Sequence, residues 1–224
     1  MSKENFDKFL RDVFNRYSEV SKTGAGWYVF HSPSKQHQFQ KAIEDSGWKV
    51  KNQIIWNKPT VSMGWGDYRW KHEPMFYCGK EKTVFYGDRA NSTVLDFHKS
   101  EQQLLNWAKK IKRDEQNGKT TIWTMKREPV LEDKHPTQKP IELIQYAIHN
   151  SSKLEDILAD LFLGSGATLI ACQKTGRICY GMELDPKYVD VIVQRYVDYV
   201  DNPVVKLNGK TISWPKKAMQ VDQQ

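Results

Sequence analysis

Residues 156–184 read DILADLFLGSGATLIACQKTGRICYGMEL. The apolar run from Asp156 to Phe162 reads as a strand, Leu163-Gly164-Ser165-Gly166 as a loop, Thr168 to Thr175 as a helix, and Arg177 to Leu184 as a second strand. Such a unit is a parallel pair joined by a right-handed crossover, which fixes the class as α/β with helices on both faces of a mainly parallel sheet. Glycine lacks a Cβ and tolerates unusual dihedrals, so the loop after Asp160 lets backbone approach a ligand beyond the strand's carboxyl end. Glu183 lies at the end of the next strand, where a nucleotide-binding unit places a carboxylate to accept hydrogen bonds from ribose hydroxyls. Leu169 occupies the position of the third glycine in the dinucleotide fingerprint, which argues against NAD or FAD.

Upstream of this unit, His135-Pro-Thr-Gln-Lys-Pro140 leads into a helix whose apolar face is Ile141, Ile144, Ala147 and Ile148, with Pro140 suited to its first turn. At the start of the chain, Phe6, Phe9, Leu10, Val13, Phe14 and Tyr17 recur at helical spacing and predict an amphipathic helix over residues 3–20. Gly26 to His31 is an almost wholly apolar, aromatic-rich run, as in a buried parallel strand. Ser32-Pro33-Ser34 starts a second helix around Phe39, Ala42 and Ile43, and Gly47 fits the left-handed position beyond its end. Trp48–Trp56 and Glu73–Cys78 read as strands, an antiparallel pair around the polar, aromatic loop 57–72. Residues 80–133 are turn-rich and charged and read as an insertion.

The chain has 224 residues, enough for one core with a modest insertion, and 34 Lys and Arg against 27 Asp and Glu give a net charge of +7. That balance favours polyanionic partners without naming one. Three scattered cysteines (Cys78, Cys172, Cys179) fit neither a disulfide framework nor a zinc site, so the expectation is a reduced, metal-free, cytoplasmic protein. No apolar run suits a secretion signal or a membrane span.

Taken together, HPTQKP (135–140), DLFLGSGAT (160–168) and YGMELDPKYVDVIVQRY (180–196) resemble the DNA amino-methyltransferases that modify adenine N6 or cytosine N4. GWYVFH, NQIIWNKP and WKHEPMFYCGK extend the resemblance over nearly the whole chain, in the permuted β-class order found in bacterial and phage-type members. It implies a Rossmann-like methyltransferase fold in three parts: a catalytic-side half (1–80), a target-recognition insertion (81–133) and an S-adenosylmethionine-binding half (134–224). By the same resemblance, Asp160, Phe162, Gly164, Ser165 and Gly166 hold the methionine end of S-adenosylmethionine, Thr168 begins the helix behind it and Glu183 binds ribose. His135, Thr137 and Lys139 complete the pocket. The partner implied is double-stranded DNA, contacted by Lys58, Trp65, Arg69 and Trp70 around the aromatic loop and by Lys109, Lys112 and Arg113 in the insertion.

These enzymes carry a [Asp/Asn/Ser]-Pro-Pro-[Tyr/Phe/Trp] tetrapeptide that accepts hydrogen bonds from the target amino group. The sequence contains no Pro-Pro, and Asp185-Pro186-Lys187-Tyr188 begins the helix after Glu183. No catalytic residue is assigned. The resemblance places the missing strand upstream of Met1, between the Asp160 and Tyr28 strands. A misplaced start, a truncated remnant and an enzyme completed by a second chain all remain open.

Overall fold

The computed structural model describes residues 2–58, 71–87, 122–124 and 139–215. Two compact units divide the chain, one of Met1–Arg127 with His149–Ser152, the other of Glu128–Ile148 with Lys153–Gln224.

In the first unit, α1 spans Lys3–Val20, opened by Ser2, whose hydroxyl accepts the Asn5 amide. Its helical-period stripe turns Leu10 and Phe14 into the core. Next come β1 (Trp27–Phe30), a short 3-10 turn at Pro33–Lys35, α2 (Gln36–Asp45), β2 (Lys49–Asn57), β3 (His72–Gly79) and β4 (Ile122–Thr124). Gly47, just past α2, takes the left-handed conformation expected of it (φ +80°).

The sheet order is β1-β3-β2-β4. β2 and β3 form the expected antiparallel hairpin, with Ile54 opposite Met75 and Trp56 opposite Glu73. β3 then lies between β2 and β1, so β1 is bonded antiparallel, Trp27 facing Cys78 and Phe30 facing Met75. The expectation of a buried parallel strand is corrected here, since the described partner of β1 is antiparallel and only Trp27 of the strand is fully buried. An apolar run does not report which strand lies beside it. β1, β2 and β4 all point the same way, since β4 pairs parallel to β2. β4 falls inside the stretch read as an insertion, where three residues extend the sheet.

Two tryptophans organise this core. Trp27 on β1 and Trp48 at the entry to β2 stack with ring centroids 3.7 Å apart and planes 16° from parallel. Their indole N–H groups donate to Ser21 and Ser18 near the end of α1, at 2.8 and 3.1 Å. Each ring is thus buried without orphaning its one polar atom. Leu10, Phe14, Ala42, Ile43, Phe76 and Cys78 close around them.

The second unit holds most of α3 (Ile141–Ser151), then β5 (Ile157–Asp160), α4 (Ala167–Thr175), β6 (Ile178–Gly181), α5 (Pro186–Tyr199), β7 (Val205–Leu207) and β8 (Lys210–Ile212). β5 and β6 pair parallel, Asp160 beside Gly181. Both strands are shorter than the sequence predicts, because the chain leaves the sheet to build loops. Ile141, Ile148, Ile170, Ala171 and Cys172 form the core, with Leu158 and Cys179 packed onto it from the strands. The opposite strand face carries Ile157, Ile178 and Tyr180, all exposed. β7 and β8 form an antiparallel hairpin that the sequence reading missed, although Asn208 and Gly209, both at positive φ, are its ordinary turn signal.

Among the described residues, β1 bonds only to β3, and β5 only to β6. No helix among them is long and apolar enough to cross a membrane.

Candidate functional site

Sequence and geometry converge on the carboxyl ends of β5 and β6, the end at which open α/β sheets hold their ligands. β5 ends at Asp160, and the chain turns away through Leu161 to Gly166 before α4 begins. Asp160 braces that turn from within. Its Oδ1 accepts the Phe162 amide at 3.0 Å and its Oδ2 accepts the Thr168 hydroxyl at 2.6 Å. Thr168 therefore does more than begin the helix, since it ties the first turn of α4 to the end of β5.

Glu183 reaches the same turn from the neighbouring strand. Its Oε2 accepts the Gly164 amide at 2.7 Å and its Oε1 accepts the Asp185 amide at 3.1 Å. The Leu163 amide donates to the Met182 carbonyl and the Met182 amide to the Asp160 carbonyl, each at 2.9 Å. The glycine turn and the acid, 19 residues apart in the chain, thus form one bonded cluster. Each carboxylate oxygen has lone pairs beyond the bonds just named.

The backbone favours glycine at both positions. Gly166 caps α4 at φ +81°, and a Cβ there would meet Ile192 of α5 at 3.2 Å. Gly164 also has positive φ, +55°. Ser165 between them is buried, and Phe162 and Leu184 are exposed. As expected, Asp185-Pro186 starts α5, with the Asp185 side chain accepting the Lys187 amide as N-cap. Behind the turn, a hydrogen bond between Cys172 and Cys179 lowers the first thiol's pKa and raises the second's, with Asp160 close enough to raise both.

Of the residues singled out from sequence, Asp160, Phe162, Gly164, Ser165, Gly166, Thr168 and Glu183 are brought together. Lys139 stands just before α3, the helix packed on the same core. His135 and Thr137 lie outside the described residues, as do Trp65, Arg69, Trp70, Lys109, Lys112 and Arg113. Lys58 follows β2, its amide donating to the Lys71 carbonyl at 2.8 Å. Its ammonium is 3.6 Å from Glu73, with the side chain only 12% exposed. Sequence reasoning missed Arg195, whose guanidinium donates to the Ser165 carbonyl at 3.2 Å.

Residues 1–194 match the model of the N6/N4 DNA methylase family. The chain belongs to that family. Among curated relatives, it is 28% identical to the type II methyltransferase M.Cfr9I of Citrobacter freundii over 158 residues, 69% of this chain. It is 26% identical to M.HinfI of Haemophilus influenzae over 223 residues, 96% of this chain. It spans about half the length of these relatives, 46% of the first and 58% of the second. The crystal structure of the M1.HpyAVI–SAM complex shares its fold at a TM-score of 0.65 and 23% identity, with 88% of this chain and 85% of that one covered. The chain therefore has the Rossmann-like methyltransferase fold that the sequence motifs implied.

Proposed function

We propose that this methylase binds S-adenosylmethionine at the ends of β5 and β6 and directs its methyl group to an exocyclic amino group of double-stranded DNA, adenine N6 ahead of cytosine N4. The hydrogen bond from Gly164 to Glu183 is the observation that carries this reading, because it joins the glycine turn and the acid into one site. The donor set fits the cofactor's chemistry. Asp160 offers a carboxylate to balance the methionine ammonium, and Glu183 has lone pairs for ribose hydroxyls. Gly166 gives α4 no side-chain cap, so its first-turn amides, with Lys139, suit the methionine carboxylate. Leu184 supplies exposed apolar surface for an adenine ring, and Phe162 stays with the methionine end. His135 and Thr137 complete this assignment.

When bound, the cofactor supplies an electrophilic methyl group on a sulfonium. The target amine is a poor nucleophile because its lone pair is conjugated into the base, so transfer depends on acceptors that reshape it and hold it in line. In the family these belong to the Pro-Pro tetrapeptide, which residues 1–224 do not contain. We assign no catalytic residue and propose that the acceptors come from a strand outside these residues, in the same polypeptide or a second one. On the DNA side, we propose contacts from Lys58, which pairs with Glu73, and from Trp65, Arg69 and Trp70. Lys109, Lys112 and Arg113 are proposed phosphate contacts. The lack of Pro-Pro also favours a second reading, a methyltransferase-like module that binds DNA or a partner without turnover.

Calorimetric titration with S-adenosylmethionine tests the first claim, and folded protein giving no binding isotherm would refute it. Mass spectrometry of nucleosides from duplex DNA incubated with the chain, alone and fused to an upstream strand ending in Asp-Pro-Pro-Tyr, separates the two readings. Methyladenine formed by the fusion supports the enzyme, methylcytosine corrects the base, and cofactor binding without either product supports the module.

A further inference from the structure

We infer that Arg195 is a positioning residue for the cofactor's amino-acid end, acting through the Ser165–Gly166 peptide; this rests on the cofactor reading above. Ser165 is 4% exposed, and its carbonyl belongs to a turn, outside any helix or strand ladder. A shielded carbonyl of that kind needs a donor. Arg195 provides it from α5, its Nη1 lying 3.2 Å from the Ser165 carbonyl oxygen and 3.4 Å from the Ser165 hydroxyl. One turn earlier on the same helix face, Ile192 lies directly against Gly166. Helix α5 thus meets the turn with a steric stop and a charged hook.

The hook fixes a direction. With the Ser165 carbonyl held toward α5, the Gly166 amide of the same peptide points the other way and donates to the Leu163 carbonyl at 2.9 Å. Glu183 anchors the turn by a neighbouring N–H, that of Gly164. The turn is therefore held by a negative charge on one of its amides and a positive charge on one of its carbonyls. Gly166, at φ +81°, has the backbone freedom to let the Ser165–Gly166 plane rotate if either hold is lost. Rotation would break the Gly166–Leu163 bond and turn a carbonyl dipole toward the site, against the ligand's carboxylate. Arg195 suppresses that state.

The test uses the full chain with Arg195→Met, which keeps much of the stem and removes the donors, and Arg195→Lys, which restores one charged donor. Calorimetry with S-adenosylmethionine, S-adenosylhomocysteine and 5′-methylthioadenosine separates the ends of the ligand, because the last lacks the amino-acid end. Arg195→Met should weaken the first two at least about tenfold and leave the third within about twofold, with Arg195→Lys recovering part of the loss. Unchanged affinity for S-adenosylmethionine, or equal weakening of all three with a lowered melting temperature, would overturn the proposal. Amide exchange at Ser165 and Gly166 without ligand gives an independent readout. Faster exchange in Arg195→Met supports the hold even if wild-type protein binds no cofactor, an outcome that removes only the cofactor reading. Equal exchange refutes the hold.

Discussion

The Gly164 amide donates to Glu183 across 2.7 Å, joining the glycine turn to the end of the neighbouring strand. Glu183 thus shapes the site before any ligand arrives, and its removal has two effects, a loosened turn and a lost acceptor. A hydrogen bond to a charged group contributes about 1.5–3 kcal/mol. Glu183→Ala should therefore weaken S-adenosylmethionine binding by about tenfold to a hundredfold, measured by calorimetry, and Glu183→Gln by less because it keeps one oxygen acceptor. Equal affinity in all three proteins would exclude Glu183 from the site.

Gly166 and Gly47 offer a matched comparison. Both have φ near +80°, but a Cβ at Gly166 would press on Ile192 at 3.2 Å, whereas one at Gly47 would meet nothing within 4 Å. Gly47→Ala should cost about 1–2 kcal/mol for left-handed backbone alone. Gly166→Ala should cost more and disturb ligand binding as well. Urea unfolding of the two variants checks the order.

Trp48 is 1% exposed, stacked on Trp27 and hydrogen-bonded to Ser18. Trp48→Ala should destabilise the first unit by about 3–5 kcal/mol, most of a domain's usual margin. Ser18→Ala leaves the indole N–H unpaired and should cost about 1–3 kcal/mol. Denaturant melts followed by far-ultraviolet circular dichroism give both values.

His31 is buried against Phe76, its Nδ1 3.2 Å from the Ser32 carbonyl, and its Nε2 has no hydrogen-bond partner among the described residues. Burial holds its pKa below the ordinary 6.5, with the Ser32 bond working in the opposite direction. The folded state therefore binds this proton less readily than the unfolded chain. The contribution is fully present above pH 6.5 and is lost as pH falls toward the folded-state value. Lowering the pH from about 7.5 to about 5.5 should cost wild-type protein more unfolding free energy than it costs His31→Gln. Parallel pH profiles would show that His31 does not titrate this way.

The parts legible in sequence were those where chemistry repeats at a fixed period or sits in a short motif. The stripe from Phe6 to Tyr17 gave α1 to the residue, and Asp160 to Thr168 gave the turn and its helix. The strand order that puts β3 between β1 and β2 was not legible, because an apolar run looks alike beside either neighbour. Nor was Arg195. On its helix it looks like any solvated arginine, and only the packing of α5 against the turn brings it to Ser165, 30 residues away. The Asn208-Gly209 hairpin was legible and passed over, its strands being three residues each.

The face-to-face indoles of Trp27 and Trp48 have an optical consequence. Rings this close couple their excited states, so the first unit should give an exciton signal in circular dichroism that vanishes when either ring moves. The second unit holds a single tryptophan, Trp214, whose indole N–H donates to Gln194, the residue before Arg195. Emission from Trp214 alone, in a chain with its other indoles replaced by phenylalanine, would report ligand arrival at the neighbouring turn without any added dye.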